Sequence, residues 1–141
     1  VIRNDQISAS QNYNTTTHHC SNGRLNVATY GWCASPVTSN DNWWQVDFLQ
    51  PVLLSGFAMQ GWGSGGYWIT SVAVSYGNDA NALMRYDQPL TACTDASTTV
   101  RNDFPKPIVT RYLRIHALTN SVSDHAIGRF ECYGWAKHIK P

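Results

Sequence analysis

Residues 43–76 read WWQVDFLQPVLLSGFAMQGWGSGGYWITSVAVSY, and the fold follows from how this stretch divides. WWQVDF, VLLSGFAMQ and ITSVAVSY are rich in β-branched and aromatic residues, which favour extended chain. WWQVDF alternates with a period of two, so Trp44, Val46 and Phe48 face one way and Trp43, Gln45 and Asp47 the other. The first set is the core face. Between the second and third runs lies GWGSGGYW (61–68), where Trp62, Tyr67 and Trp68 ride on glycines with few aliphatic neighbours. Aromatic rings on an otherwise polar loop point to contact with a ligand.

Outward from this stretch the same signals recur. QISAS (6–10), STTVR (97–101), TRYLRIHAL (110–118) and AIGRFECY (126–133) are further strand-like runs bounded by Gly, Pro, Asn or Asp, and PKPIV (105–109) reads as a breaker. Ile69, Val72, Val74 and Tyr76 lie on one run that stops at Gly77-Asn78-Asp79, and Tyr112, Leu113, Ile115 and Leu118 mark a late strand. Helical periodicity is missing. Seven or more short strands with turns between them make an all-β chain, arranged as a β-sandwich. At 141 residues, one domain spanning 1–141 is expected, without repeat or linker.

Ten Lys and Arg against nine Asp and Glu give a net charge of +1, with the basic residues scattered, so the chain has no electrostatic footprint for nucleic acid. Charged residues make up 13%, about half the ~25% usual in soluble proteins, while Asn, Ser and Thr abound. That balance suits a secreted, extracellular protein, here in its mature form, since no signal-like segment opens the chain and no apolar run approaches the roughly 18 residues of a membrane span. Cys20, Cys33, Cys93 and Cys132 contain no CxxC pair, so a zinc ribbon or redox site is unsupported and two disulfides are expected, with buried free thiols as the alternative. Three pairings remain open on sequence alone. Asn14-Thr15-Thr16 is an N-glycosylation sequon, which places residues 11–19 on an exposed loop.

The order of the motifs resembles the discoidin domain, also called the coagulation factor V/VIII type C domain. The resemblance rests on QISAS (6–10), SNGRLN (21–26), GWCA (31–34), NWWQVDF (42–48), SGFAMQGW (55–62), WITSVAVSY (68–76), Thr94-Asp95, RYLRIHAL (111–118) and GRFECYG (128–134), in register over nearly the whole chain. It implies a distorted jelly-roll β-sandwich of about eight antiparallel strands, with a ligand site on protruding loops, or spikes, at one end. The spikes would be residues 11–20, 39–42 and 61–67, with a further loop at 119–125. The resemblance breaks at two points. The usual terminal cysteine pair is lacking, the position after the final Gly134 being Trp135, and Trp62 stands where many relatives carry a ligand-contacting Arg. The resemblance also suggests pairing Cys33 with Cys132 and Cys20 with Cys93, the second bridge anchoring the first spike.

For chemistry, the chain carries no nucleophile elbow, HExxH or phosphate loop, and its single glutamate, Glu131, lies in an expected strand without a carboxylate partner. A binding module is expected, not an enzyme. Sugar recognition needs an aromatic plate against the apolar face of a pyranose and polar groups for its hydroxyls. Trp62, Tyr67 and Tyr13 are the candidate plates, with Trp68 partly core because it begins a strand. His18, His19, Asn40, Asp41 and Asn42 are the candidate hydroxyl partners; for each, the alternative is an ordinary loop residue. His18 and His19 are adjacent and would point apart, which argues against a shared metal. No cofactor is called for, though Asp41 and Asp47 are the carboxylates a structural calcium site would draw on. Arg111, Arg114, Arg129 and Asp47 are read as charge-paired residues of the sandwich.

The segment IHALTNSVSDH (115–125) resembles the slime-mould discoidin lectins, adding Asn120 and His125 as rim residues and implying galactose or N-acetylgalactosamine. The expected function is therefore a lectin for extracellular or cell-surface glycans in cell adhesion or recognition, assembled as a small homo-oligomer for avidity. The alternatives are a phosphatidylserine membrane and a protein such as collagen. The membrane reading is disfavoured because the spikes contain no Lys or Arg.

Overall fold

The computed structural model describes residues 1–37, 41–122 and 124–136. Among them run seven strands, β1 (Ile7–Ala9), β2 (Trp32–Ala34), β3 (Asn42–Gln60), β4 (Ile69–Gly77), β5 (Met84–Arg85), β6 (Val100–Asn120) and β7 (Ala126–Ala136), with short 3-10 turns at Asn4–Gln6 and Cys20–Asn22. All strand pairings are antiparallel, in the order β2-β7-β3-β6-β4-β5, with β1 added on β3.

β3 and β6 explain how one hydrogen-bonded path makes a sandwich. Each is long enough to serve both layers, and their mutual ladder shifts register between Asp47 and Val52 and again between Leu54 and Gly56. On one side of the shift Asn42–Asp47 register with Ala117–Tyr112, next to β1 and β4; on the other, β3 pairs with both β7 and the start of β6. Trp44 and Val46 from the first layer pack with Leu54, Phe57, Met59 and Phe130 from the second. The Trp44 and Phe130 rings meet at 4.9 Å, and the Trp44 indole N–H donates to the Cys20 carbonyl, so this large side chain leaves no polar atom stranded. The alternation read from WWQVDF holds, with Phe48 at the edge of the core. Ile69, Val72 and Val74 also face inward, and the register shifts around Ser71 allow the irregular spacing.

PKPIV is not a break. β6 runs through it because Pro105 and Pro107 fall in the gap of the ladder between the Gly56–Asp103 and Leu54–Ile108 pairs, where the missing N–H groups cost no register bond. The strands before and after PKPIV are thus one element, as are WWQVDF and VLLSGFAMQ. Both ends of β3 and β6 lie at the end of the sandwich that carries the loops at 10–31, 61–68 and 121–125.

The expected disulfides are not formed: all four thiols are free. Cys33 registers with Ile127, and Cys132 lies five residues further along β7, roughly 17 Å at strand spacing, far beyond the ~7 Å Cα separation a bridge tolerates. The Cys20 Sγ instead lies 3.6 Å from the Ile7 carbonyl, and Cys93 is buried in the core. Burial pushes the Cys33 thiol up to about 12, with help from the nearby Asp124 charge, and Cys93 up to about 11, so the reactive thiolate is scarce.

Candidate functional site

The third spike is a tight hairpin built on its glycines. The Trp62 N–H donates to the Tyr67 carbonyl at 2.7 Å, and the Gly65 and Gly66 N–H groups return to the Trp62 carbonyl at 3.2 and 2.8 Å. Gly66 sits at φ +76°, in the left-handed region where a side chain is strained. Gly65 is needed for a different reason: the Trp62 ring folds over it, and a Cβ there would come within 2.0 Å of the ring. The indole N–H of Trp62 then donates to the Thr29 carbonyl at 2.8 Å, which the Ser64 hydroxyl also reaches at 3.1 Å. The base of the spike is held by the buried Arg129, whose guanidinium donates to the carbonyls of Gly61, Val27 and Ala96.

The first spike is shaped by Asn14. Its Oδ1 accepts from the backbone N–H groups of Thr16, Thr17 and His18, and its Nδ2 donates to Thr17 Oγ1, so the side chain replaces a backbone turn. Tyr13 N donates to the Cys33 carbonyl and Cys33 N to the His18 carbonyl, which fastens the spike along β2. These contacts bring His18 inward, 9% exposed, while Tyr13 stays 56% exposed.

The two spikes and the 121–125 loop meet around a cavity of about 160 Å³, lined by Tyr13, His18, Trp62, Tyr67 and His125 with Cys33 and Ile127 beneath. The rings form a continuous belt. Tyr13 lies 5.8 Å from His18, His18 4.8 Å from Trp62 in an edge-to-face contact, Trp62 6.0 Å from Tyr67, and Tyr67 5.7 Å from His125. Both imidazoles are held by Nδ1: that of His18 is 3.1 Å from the Gly31 carbonyl, and that of His125 is 3.0 Å from the Asp124 carbonyl and 2.6 Å from Ser35 Oγ. Among the described residues, no Lys, Arg, Asp or Glu lines the cavity. An apolar, ring-walled recess with polar edges can cover one face of a small ligand and bond to its hydroxyls.

Five of the residues singled out from sequence therefore converge, and the other described ones do not line the cavity. His19 caps the 3-10 turn at Cys20–Asn22, accepting from Ser21 N. Trp68 packs at the edge of the core, and its backbone N–H bonds to Ser121 Oγ. Asp41 pairs with His116 at 2.9 Å, while Asn42 is buried at the start of β3. Asn120 registers with Ile69 at the end of β6, its Oδ1 buried without a hydrogen-bond partner. Asn40 lies outside the described residues. A calcium site using Asp41 and Asp47 is not assembled: the two are six residues apart in extended chain, roughly 20 Å. Both Asp47 oxygens are bound by Arg111, at 2.8 and 3.0 Å. That guanidinium holds the Asp47 carboxyl below its ordinary range.

Of the arginines read as charge-paired, only Arg111 has a carboxylate. Arg114 donates to Gln45 Oε1 and stacks 4.0 Å over Trp43, and Arg129 has only carbonyls. Sequence reasoning missed the cavity floor and the part Arg129 plays at the base of the third spike, since its partners are backbone atoms with no sequence signal. It also missed a hydrogen-bonded series, Ser75 Oγ to His116 Nε2 at 2.8 Å and His116 Nδ1 to Asp41 at 2.9 Å. Although the order is that of a catalytic triad, Ser75 is buried in the β4 ladder and is not among the residues that line the ring-walled cavity.

The F5/8 type C domain family model matches residues 6–132, and the chain belongs to that family. Neuropilin-1 of Xenopus laevis is 34% identical over 144 residues, covering 94% of this chain and 15% of its own length. Retinoschisin of Takifugu rubripes is 32% identical over 127 residues, covering 81% and 45%. The chain thus spans less than half of these relatives. Among solved structures, discoidin II of Dictyostelium discoideum superposes with a TM-score of 0.79 at 22% identity, over 94% of this chain and 56% of that one. The family 32 carbohydrate-binding module of NanJ from C. perfringens, in complex with galactose, superposes with a TM-score of 0.71 at 15% identity, over 92% and 97%. At these identities the superpositions establish a shared fold.

Proposed function

We propose that residues 1–141 act as one extracellular glycan-binding module, a non-catalytic lectin whose loop-end cavity takes a terminal galactose or N-acetylgalactosamine. The observation that carries this reading is the belt of Tyr13, His18, Trp62, Tyr67 and His125 around one recess, a set drawn from three separate loops. At about 160 Å³ the recess falls below the ~300–1,000 Å³ of drug-sized pockets and suits a single sugar ring better than an oligosaccharide. The galactose complex of the NanJ module, on the same fold, supports the choice of sugar. Trp62, in place of the Arg many relatives carry, supplies the apolar plate. The low charge and the Asn, Ser and Thr content agree with extracellular work, where glycans are displayed.

One shallow site binds weakly, so adhesion by this module requires a small homo-oligomer. A glycan array read alongside liposomes of graded phosphatidylserine content tests the reading. Binding to terminal galactose-type glycans is expected, with no dependence on phosphatidylserine. Liposome binding with a blank array would replace the lectin by a membrane-binding module.

A further inference from the structure

We propose that His18 and His125 are a matched pair of hydrogen-bond acceptors, through which the cavity selects neutral sugars by their hydroxyl donors and turns away sugars bearing a carboxylate. The proposal rests on the glycan reading of this cavity and goes on to name what sets its polarity.

The partners of each Nδ1 decide which ring nitrogen carries the proton. A backbone carbonyl can only accept, so the 3.1 Å contact from His18 Nδ1 to Gly31 requires the proton on Nδ1. His125 Nδ1 lies 3.0 Å from the Asp124 carbonyl and 3.9 Å from the Asp124 carboxylate, which only accept, and 2.6 Å from Ser35 Oγ, a hydroxyl able to accept or donate; with the proton on Nδ1 all three can receive it. Neutral imidazole has one N–H, so in both rings Nε2 is left with a lone pair. Among the described residues neither Nε2 has a hydrogen-bond partner. The only partnerless polar atom sealed from solvent among the described residues is Asn120 Oδ1, so both nitrogens are reachable, and the space their rings border is the cavity.

Lone pairs on two rings that border one recess favour hydroxyl groups, which donate. A carboxylate has no proton to give and meets acceptors on both sides. The Asp124 charge beside His125 adds repulsion. Arg129, the guanidinium at the base of the third spike, is not among the residues that line the cavity, and its N–H groups are directed to the Gly61, Val27 and Ala96 carbonyls. The Tyr13 and Tyr67 hydroxyls can rotate to serve either role and do not change this bias.

The acceptor assignment is tested without a ligand, from the ¹⁵N chemical shifts of the ring nitrogens in the free protein at a pH where both imidazoles are neutral. Protonated Nδ1 and unprotonated Nε2 are expected in both; an Nε2–H in either ring overturns the assignment. Selectivity is then read by titrating methyl galactoside against methyl galacturonide, which share ring stereochemistry and differ in the carboxylate. The galacturonide should bind about tenfold weaker or worse, the ratio expected for one unmade hydrogen bond. Equal or tighter binding overturns the selectivity. In a His125→Lys variant that melts like the parent, the preference should reverse toward galacturonide; an unchanged preference for the neutral sugar also counts against the proposal. Binding of neither sugar by the parent protein would refute the glycan reading and its selectivity, whereas the ring shifts are decided independently.

Discussion

Replacing Gly65 by Ala adds a single methyl group, and its effect should pass entirely through one neighbour. The new Cβ would lie 2.0, 2.2 and 2.4 Å from three atoms of the Trp62 ring, its nearest surroundings. The ring must retreat by about 1.4 Å, the gap between 2.0 Å and the 3.4 Å at which ordinary contact begins. That movement breaks the 2.8 Å bond from the indole to the Thr29 carbonyl, worth about 1 kcal/mol. It also disturbs the 4.8 Å edge contact with His18, worth about 0.5–1.5 kcal/mol. A destabilisation of about 2 kcal/mol is expected from urea unfolding, with sugar affinity falling about tenfold as the belt opens. In a Trp62→Ala background the same change should cost nearly nothing, giving a coupling of about 2 kcal/mol. Gly66→Ala is the contrast: nothing lies within 4 Å of its Cβ, so its cost of about 1–2 kcal/mol is backbone strain at φ +76° and should persist without the Trp62 ring. Additive effects of Gly65→Ala and Trp62→Ala would refute the packing argument.

Three further outcomes follow from the same structure. Arg129→Met removes the donors to three loop carbonyls and should cost about 3 kcal/mol in urea unfolding, with faster amide exchange across residues 61–67. His116 is buried, and desolvation lowers its affinity for protons in the folded state, so unfolding takes up a proton. Stability should therefore fall as pH drops below about 6.5 and level off below the folded-state value, a slope that His116→Gln should flatten in pH-dependent melting. Thiol titration should find four reactive groups in denaturant and far slower reaction in the native protein, and reductant should leave the melting temperature unchanged.

Much of the fold is legible in the chain because strand alternation is a local signal: Trp44 and Val46 announce their face within six residues. The third spike is legible for a related reason, its rings having no aliphatic neighbours in sequence to pack with. PKPIV misleads because proline chemistry is local, whereas its tolerance depends on a register gap set by a distant strand. The cysteines mislead because an even count says nothing of the five residues of β7 that separate the partner of Cys33 from Cys132. Asp41 illustrates the limit for the site. A carboxylate suits sugar binding, but this one is bonded to His116, 75 residues away, and is not among the residues that line the cavity.

If a sugar enters the belt at the loop end, an NMR titration of the ¹⁵N-labelled protein with methyl galactoside will locate it there. The Trp62 indole N–H, the His18 and His125 ring nitrogens, and the amides of residues 61–67 are expected to shift together with one dissociation constant, while the Trp43 and Trp135 indoles stay fixed. Shifts confined to the groove at the opposite end, lined by Tyr76, Tyr86 and Lys106, with the Trp62 indole unmoved, would contradict it.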